Sequence, residues 1–150
     1  MAEINLTREL DVDVKSGIVN LKFYIYDSKN KRKISPFSDE LFNSFLRENF
    51  KYISYDDFKK IKEPYLKKIA DIGVFETIED KNGVHNRANG FTLCLDPEED
   101  PDGKLIEKKI QEKTQQYVNL FKSFISELKE LNDKRKIKNV KEKQIFKIKI

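Results

Sequence analysis

The sequence predicts an α+β fold: strands at the N-terminus, a helix–helix–hairpin module in the middle, a long helix after it and a strand at the end. Three observations carry this. Ile18–Asp27 alternates cleanly, with Leu21, Phe23 and Ile25 on one side and Lys22, Tyr24 and Tyr26 on the other. Across Gly73 the spacing of apolar residues changes from helical to strand-like. From Lys104 to Asp133, Ile106, Ile110, Tyr117, Phe121, Phe124, Leu128 and Leu131 recur at three-, four- and seven-residue steps.

The chain of 150 residues suits one compact domain with a real core. Its 38% hydrophobic content suffices for folding beside 37% charged residues, and eleven Phe and six Tyr supply much of the burial. The lone Cys94 excludes an internal disulfide and a multi-cysteine metal site, as suits a reducing compartment. Inside the apolar run Phe91–Leu95 it reads as a buried structural thiol. No apolar run nears the ~18 residues of a membrane span. The start, Met-Ala-Glu-Ile-Asn, lacks the basic and apolar regions of a signal peptide. The expected location is the cytoplasm, with no membrane partner.

Residues 1–37 hold the N-terminal strands. Val12 and Val14 alternate with Asp11, Asp13 and Lys15 before the Ser16-Gly17 turn, so a strand pair or hairpin with Ile18–Asp27 is expected. The following turn packs Lys29, Lys31, Arg32 and Lys33 together, read as a solvated loop or a phosphate contact. Pro36 and Ser38 introduce a helix through Asn49, with Leu41, Phe42, Phe45 and Leu46 apolar and Asp39 and Glu40 at its positive end. Tyr52 and Ile53 permit a short strand.

Ser54 then caps a helix, with Asp57 placed for a capping box. Glu63-Pro64 opens another, because proline is tolerated at a first helical position. Leu66, Ile69 and Ala70 share its apolar face, and Gly73 stops it. Val74–Ile78 and Phe91–Leu95 read as two strands. The twelve residues between them hold the turn formers Asn82, Gly83, Asn86, Asn89 and Gly90.

Residues 96–103 form an acidic, proline-bounded linker whose spacing does not match a calcium-binding loop. The helix of 104–133 is longer than its own module is wide, which fits packing against a second copy. The other reading is that its stripe covers the N-terminal strands of the same chain. Residues 134–150 form a basic tail, and the alternation of Phe146-Lys147-Ile148-Lys149-Ile150 reads as a terminal strand.

Charge is uneven. Residues 51–100 carry 8 basic and 11 acidic side chains, whereas 101–150 carry 14 and 7.

The order helix, turn, second helix running into Ile-Gly-Val-Phe-Glu, then hairpin resembles the winged helix-turn-helix superfamily over residues 38–95. "Leu-Lys-Lys-Ile-Ala-Asp-Ile-Gly-Val-Phe" looks like the end of a recognition helix entering the first wing strand. The resemblance implies a winged-helix core with the N-terminal strand pair, long helix and terminal strand as additions. It also implies double-stranded DNA as partner, with the second helix in the major groove. Lys59, Lys60, Lys62, Lys67 and Lys68 would then meet DNA from the helices, and Lys81, Asn86 and Arg87 from the wing. The helix lacks the Arg, Asn and Gln that make bidentate base contacts, so general DNA contact is better supported than sequence readout.

Enzymatic chemistry finds no place. His85 is the one histidine, and the glycines form no phosphate-cradling loop. No residues have zinc spacing, and no cofactor is implied. Two functions remain. One is a dimeric DNA-binding protein, as a transcriptional regulator or a plasmid or phage replication or partition factor. The other is a non-enzymatic interaction subunit of a larger complex, held through Tyr117, Phe121, Phe124, Leu128 and Leu131.

Overall fold

A computed structural model describes residues 4–73, 76–80, 83–87 and 89–148, with side chains described outside 76–87 and 140–148. Strands β1 (Leu6–Asp13) and β2 (Ile18–Asp27) form an antiparallel hairpin in which Leu10 faces Leu21. Gly17 turns it with φ 69° and donates its N–H to the Asp13 carbonyl at 2.9 Å. Strands β3 (Arg32–Ile34) and β6 (Gly90–Cys94) both pair with β2 along its other edge. Strands β4 (Glu76–Asp80) and β5 (Gly83–Arg87) make a separate two-stranded unit.

The helices follow the apolar spacing. Helix α1 (Asp39–Leu41), a π-helical segment (Phe42–Leu46) and α2 (Arg47–Asn49) run on from one another. The wider π turn lets Leu41, Phe42 and Leu46 all be buried. Helix α3 (Tyr55–Ile72) begins with a complete capping box: Asp57 N–H donates to the Ser54 hydroxyl at 3.2 Å, and Ser54 N–H donates to the Asp57 carboxylate at 2.7 Å. Helix α4 (Lys104–Ile148) is 45 residues long. Buried Asp100 caps it, accepting from the N–H groups of Leu105 and Ile106 at 3.0 and 2.9 Å. The acidic linker is therefore in part a helix cap. Among the described residues no helix is long and apolar enough to cross a membrane.

The core lies between β2 and the helices. Leu21, Phe23 and Ile25 point inward as the alternation requires, and the Tyr117 ring of α4 stacks on Phe23 with centroids 4.1 Å apart and planes 6° apart. Phe124 fills the centre against Phe37, Phe58 and Tyr65.

Five expectations are corrected. Pro64 opens no helix but lies inside α3. It removes the N–H that would bond the Lys60 carbonyl, but both residues are on the exposed face, where water can take that carbonyl. Phe58, Tyr65 and Ile69 on the buried face hold the helix through it. The expected long wing loop contains β5, and Phe91 and Leu93 pair with Leu21 and Val19 of β2, which offer the apolar face that the acidic β4 lacks. Val74 and Phe75, the expected start of the first wing strand, lie outside the described residues.

Up to Ile148 the expected terminal strand is instead the end of α4, and Lys149 and Ile150 lie outside the described residues. A helix already nucleated extends through Lys, Glu and Gln at little cost, whereas a lone strand needs a neighbour. Tyr52 makes no strand; its N–H donates to the Asn132 side chain at 2.9 Å. Cys94 is exposed, because the alternation of β6 that buries Phe91 and Leu93 turns it outward.

Candidate nucleic-acid interface

Helices α3 and α4 lie antiparallel, joined at three levels by polar contacts. Arg135 donates to both carboxylate oxygens of Asp57, with Nη2–Oδ1 at 3.0 Å. The Tyr65 hydroxyl donates to Glu127 at 2.6 Å. Lys113 donates to the Ile72 carbonyl. This ladder sets the start of α3 beside residues 132–135 of α4. Beyond Arg135, α4 continues to Ile148, roughly 20 Å further at ~1.5 Å per residue.

The Asp57–Arg135 contact fixes that geometry. The guanidinium holds the Asp57 carboxyl well below the usual carboxylate range; burial opposes this, and the Ser54 N–H and hydroxyl add to it. Arg135 is 43% exposed at its side chain, so solvent weakens the pair. Asp57→Asn is expected to cost about 1–2 kcal/mol at neutral pH. With its native pKa depressed, Asp57 stabilises the fold fully above its ordinary value of 3.8, and this is lost as pH falls through the native value. Urea melts at pH 7 and about pH 2.5 should therefore show the gap between parent and variant narrowing in acid. A gap independent of pH would show that the clasp does not exist. The neighbouring Tyr65 hydroxyl is pushed up to about 12 by burial and by Glu127.

The structure sorts the expected DNA contacts into three groups. Lys59 and Lys60 are exposed in the first turns of α3, at the positive end of its dipole. Lys67 and Lys68 are exposed further along, with Lys68 over the Tyr65 ring at 5.3 Å. Lys62 is largely covered: its side chain is 13% exposed, bonded to Asp39 at 3.3 Å and lying over Phe58. It braces α1 against α3. Lys81 lies outside the described residues. Asn86 and Arg87 fall in β5, where only the backbone is described, after the C-terminal end of α3. Lys59 and Lys60 thus sit at the opposite end of α3 from the hairpin that follows it.

The expected partner stripe is corrected. Tyr117, Phe121, Phe124 and Leu128 are buried and Leu131 is half-buried, all within their own chain. The inner face of β2 and the apolar face of α3 both need cover, and this stripe provides it. In β3, after the turn that follows β2, Arg32 and Lys33 are likewise engaged within the chain, Lys33 with Glu9 at 2.9 Å and Arg32 near Asp27 and Glu40.

The residues that the sequence left out of the site are Lys134, Lys136 and Lys138, all exposed where α4 passes the start of α3. Lys51, Lys59 and Lys60 are exposed at the same end, among the exposed acids Glu48, Asp56, Glu63, Glu130 and Asp133. The +7 balance of residues 101–150 was the signal, and the basic tail read as a strand concealed it. Compared with protein-family models, curated proteins and solved structures, the chain matches none of them.

Proposed function

We propose that this chain is a non-enzymatic DNA-binding protein built on a winged-helix-like core, acting as a transcriptional regulator or as a replication or partition factor. One observation carries the reading. Helix α4 runs past Arg135 as an extension whose sequence holds Lys136, Lys138, Lys141, Lys143 and Lys147 against Glu142 alone, and Lys59 and Lys60 of α3 lie at the root of that extension, level with residues 132–133. Neutralised phosphates release condensed counterions, which gives a duplex binder most of its nonspecific affinity. A helix can lay such charges along a DNA backbone, and the hairpin follows the other end of α3. Phosphate contact dominates in this arrangement, and base readout is weak because α3 presents lysine rather than Arg, Asn or Gln.

Fluorescence anisotropy on a random duplex of roughly 30 base pairs, at about 50 and 200 mM salt, tests this. Micromolar binding with a steep salt slope is expected. Reversing Lys59, Lys60, Lys136 and Lys138 to Glu should weaken it at least ~10-fold and flatten the slope by about three to four contacts. A reversal that leaves affinity unchanged, or no binding of the parent at low salt, ends this reading.

A further inference from the structure

Strand β1 pairs with β2 alone among the described residues, so its other side is an open edge. The backbone groups presented there follow from the ladder. Phe23 N–H donates to the Asn89 carbonyl at 2.7 Å, so odd-numbered residues of β2 bond toward β6. Even-numbered ones therefore bond toward β1, to Thr7, Glu9 and Asp11. That leaves the N–H and C=O of Leu6, Arg8, Leu10 and Val12 directed to the open edge.

The side chains divide into two chemistries. Leu6, Arg8, Leu10 and Val12 share the inner face with Ile25, Phe23, Leu21 and Val19; Arg8 donates to the Thr114 hydroxyl of α4 at 3.4 Å, and Leu10 and Val12 remain 42% and 51% exposed. A cleft of about 480 Å³ continues that face between Ile4–Leu6 and Val118, Phe121 and Ile125 of α4. The outer face carries Glu9, Asp11 and Asp13. Lys33 donates to Glu9 at 2.9 Å, Lys22 stands 3.7 Å from Asp11, and Asp13 accepts from the Lys15 and Ser16 N–H groups at 3.1 and 3.4 Å; Glu9 and Asp11 keep 43% and 64% of their side chains exposed, open to a further cation.

We propose that the open edge of β1 docks an extended segment of another protein, with apolar residues at every second position and lysine or arginine between them. Added to β1, such a strand bonds the free backbone groups. It sets alternate apolar side chains over Leu10 and Val12 and into the cleft, and its cations beside Glu9, Asp11 and Asp13. Main-chain bonds would give affinity and alternate pockets specificity. A second β1 is disfavoured. Antiparallel pairing about Arg8, Glu9, Leu10 or Asp11 brings Arg8 opposite Arg8, Glu9 opposite Glu9, Glu9 opposite Asp11, or Asp11 opposite Asp11, and like charges directly opposite are destabilising. This surface is independent of the lysines assigned to DNA.

The probe is an eight-residue capped peptide alternating lysine with isoleucine or valine, titrated into the full chain and followed by amide chemical shifts. Binding at about 10–100 μM, with the largest shifts at Leu6–Val12, is expected. N-methylation of one alternate set of peptide nitrogens should abolish binding, and of the other set should leave it, because a ladder uses only every second group. A peptide with Glu for Lys should bind at least ~10-fold more weakly. Leu10→Pro removes an edge donor without taking a bond from β2, so it should abolish binding in a chain that still folds. Four results overturn the proposal: no binding near 1 mM; equal affinity of both N-methylated sets; shifts centred away from β1; or self-association of the chain mapped to β1.

Discussion

Phe124→Ala is expected to lower stability by about 4 kcal/mol, within the ~3–5 kcal/mol of buried Phe→Ala changes. Phe124 is fully buried where three parts of the chain meet. Its ring lies 5.1 Å from Phe37, stacked at 28°, 5.6 Å from Phe58 and 5.5 Å from Tyr65. These neighbours belong to the segment after β3 and to α3, so collapse into the cavity would require α3 and α4 to approach against their polar ladder. In a chain of this length the loss corresponds to a fall in Tm of roughly 10 °C. Leu105→Ala, at a side chain 55% exposed, serves as control and should stay within about 0.5 kcal/mol. Equilibrium urea melts at two protein concentrations settle a further point. An intrachain core gives a Phe124→Ala effect independent of concentration, whereas a stripe shared between two copies gives a midpoint that rises with it. A loss below about 1 kcal/mol would mean that Phe124 is not enclosed as described.

That test bears on where partners can bind. The stripe of α4 is the most apolar surface that the sequence offers, and the structure uses it to cover β2 and α3. The two surfaces proposed for partners lie elsewhere among the described residues: the lysines where α4 passes α3, and the open edge of β1 with exposed Leu10 and Val12. Neither depends on removing anything from the core, so both surfaces are compatible with one folded chain.

Local signals were legible where one residue acts on its own neighbours. Ile18–Asp27 showed its two faces by alternation, and Ser54 with Asp57 announced the capping box. Gly73 marked the end of α3, donating its own N–H to the Ile69 carbonyl at 3.0 Å. The misreadings have a common cause, which is that tertiary partners decide between locally permitted states. Pro64 permits a helix start, yet the packing of Phe58 and Tyr65 carries one helix across it. Phe91–Leu95 permits a wing strand, yet its apolar side chains are matched by β2. Phe146–Ile150 alternates, yet through Ile148 the chain continues the helix that precedes it. For the candidate site, the residue types were legible as an excess of Lys in the last third. Their placement was not, because it depends on the long-range pair Asp57–Arg135, separated by 78 residues.

Gly90→Ala tests the least local of these features, the pairing of β6 with β2. A Cβ at this position would stand 2.0 Å from the Leu21 carbonyl oxygen, and 3.0 Å from both the Leu21 carbonyl carbon and the Lys22 Cα. All three are backbone atoms of the central strand, so no rotamer change relieves the clash. Either β6 shifts away from β2 or β2 bends. Overpacking in a close-packed region costs about 1–3 kcal/mol, and a rigid backbone neighbour places this case at or above the upper end. The expected loss is about 3 kcal/mol. The pairs Leu21↔Phe91 and Val19↔Leu93 should open with it, which would expose their amides to hydrogen exchange ahead of those of β1. Because β6 follows β5 directly in the chain, the β4–β5 unit should also lose its anchor to the main sheet, weakening DNA binding if the hairpin contributes to it. The paired control is Thr92→Ala: Thr92 is exposed and turned outward on the same strand, donating to Asn20 across it at 3.1 Å, so register is kept and the cost should be about 1 kcal/mol or less. A Gly90→Ala variant as stable as the parent, with unchanged exchange at Leu21 and Phe91, would place β6 elsewhere and leave the apolar side of β2 at that end without its strand neighbour.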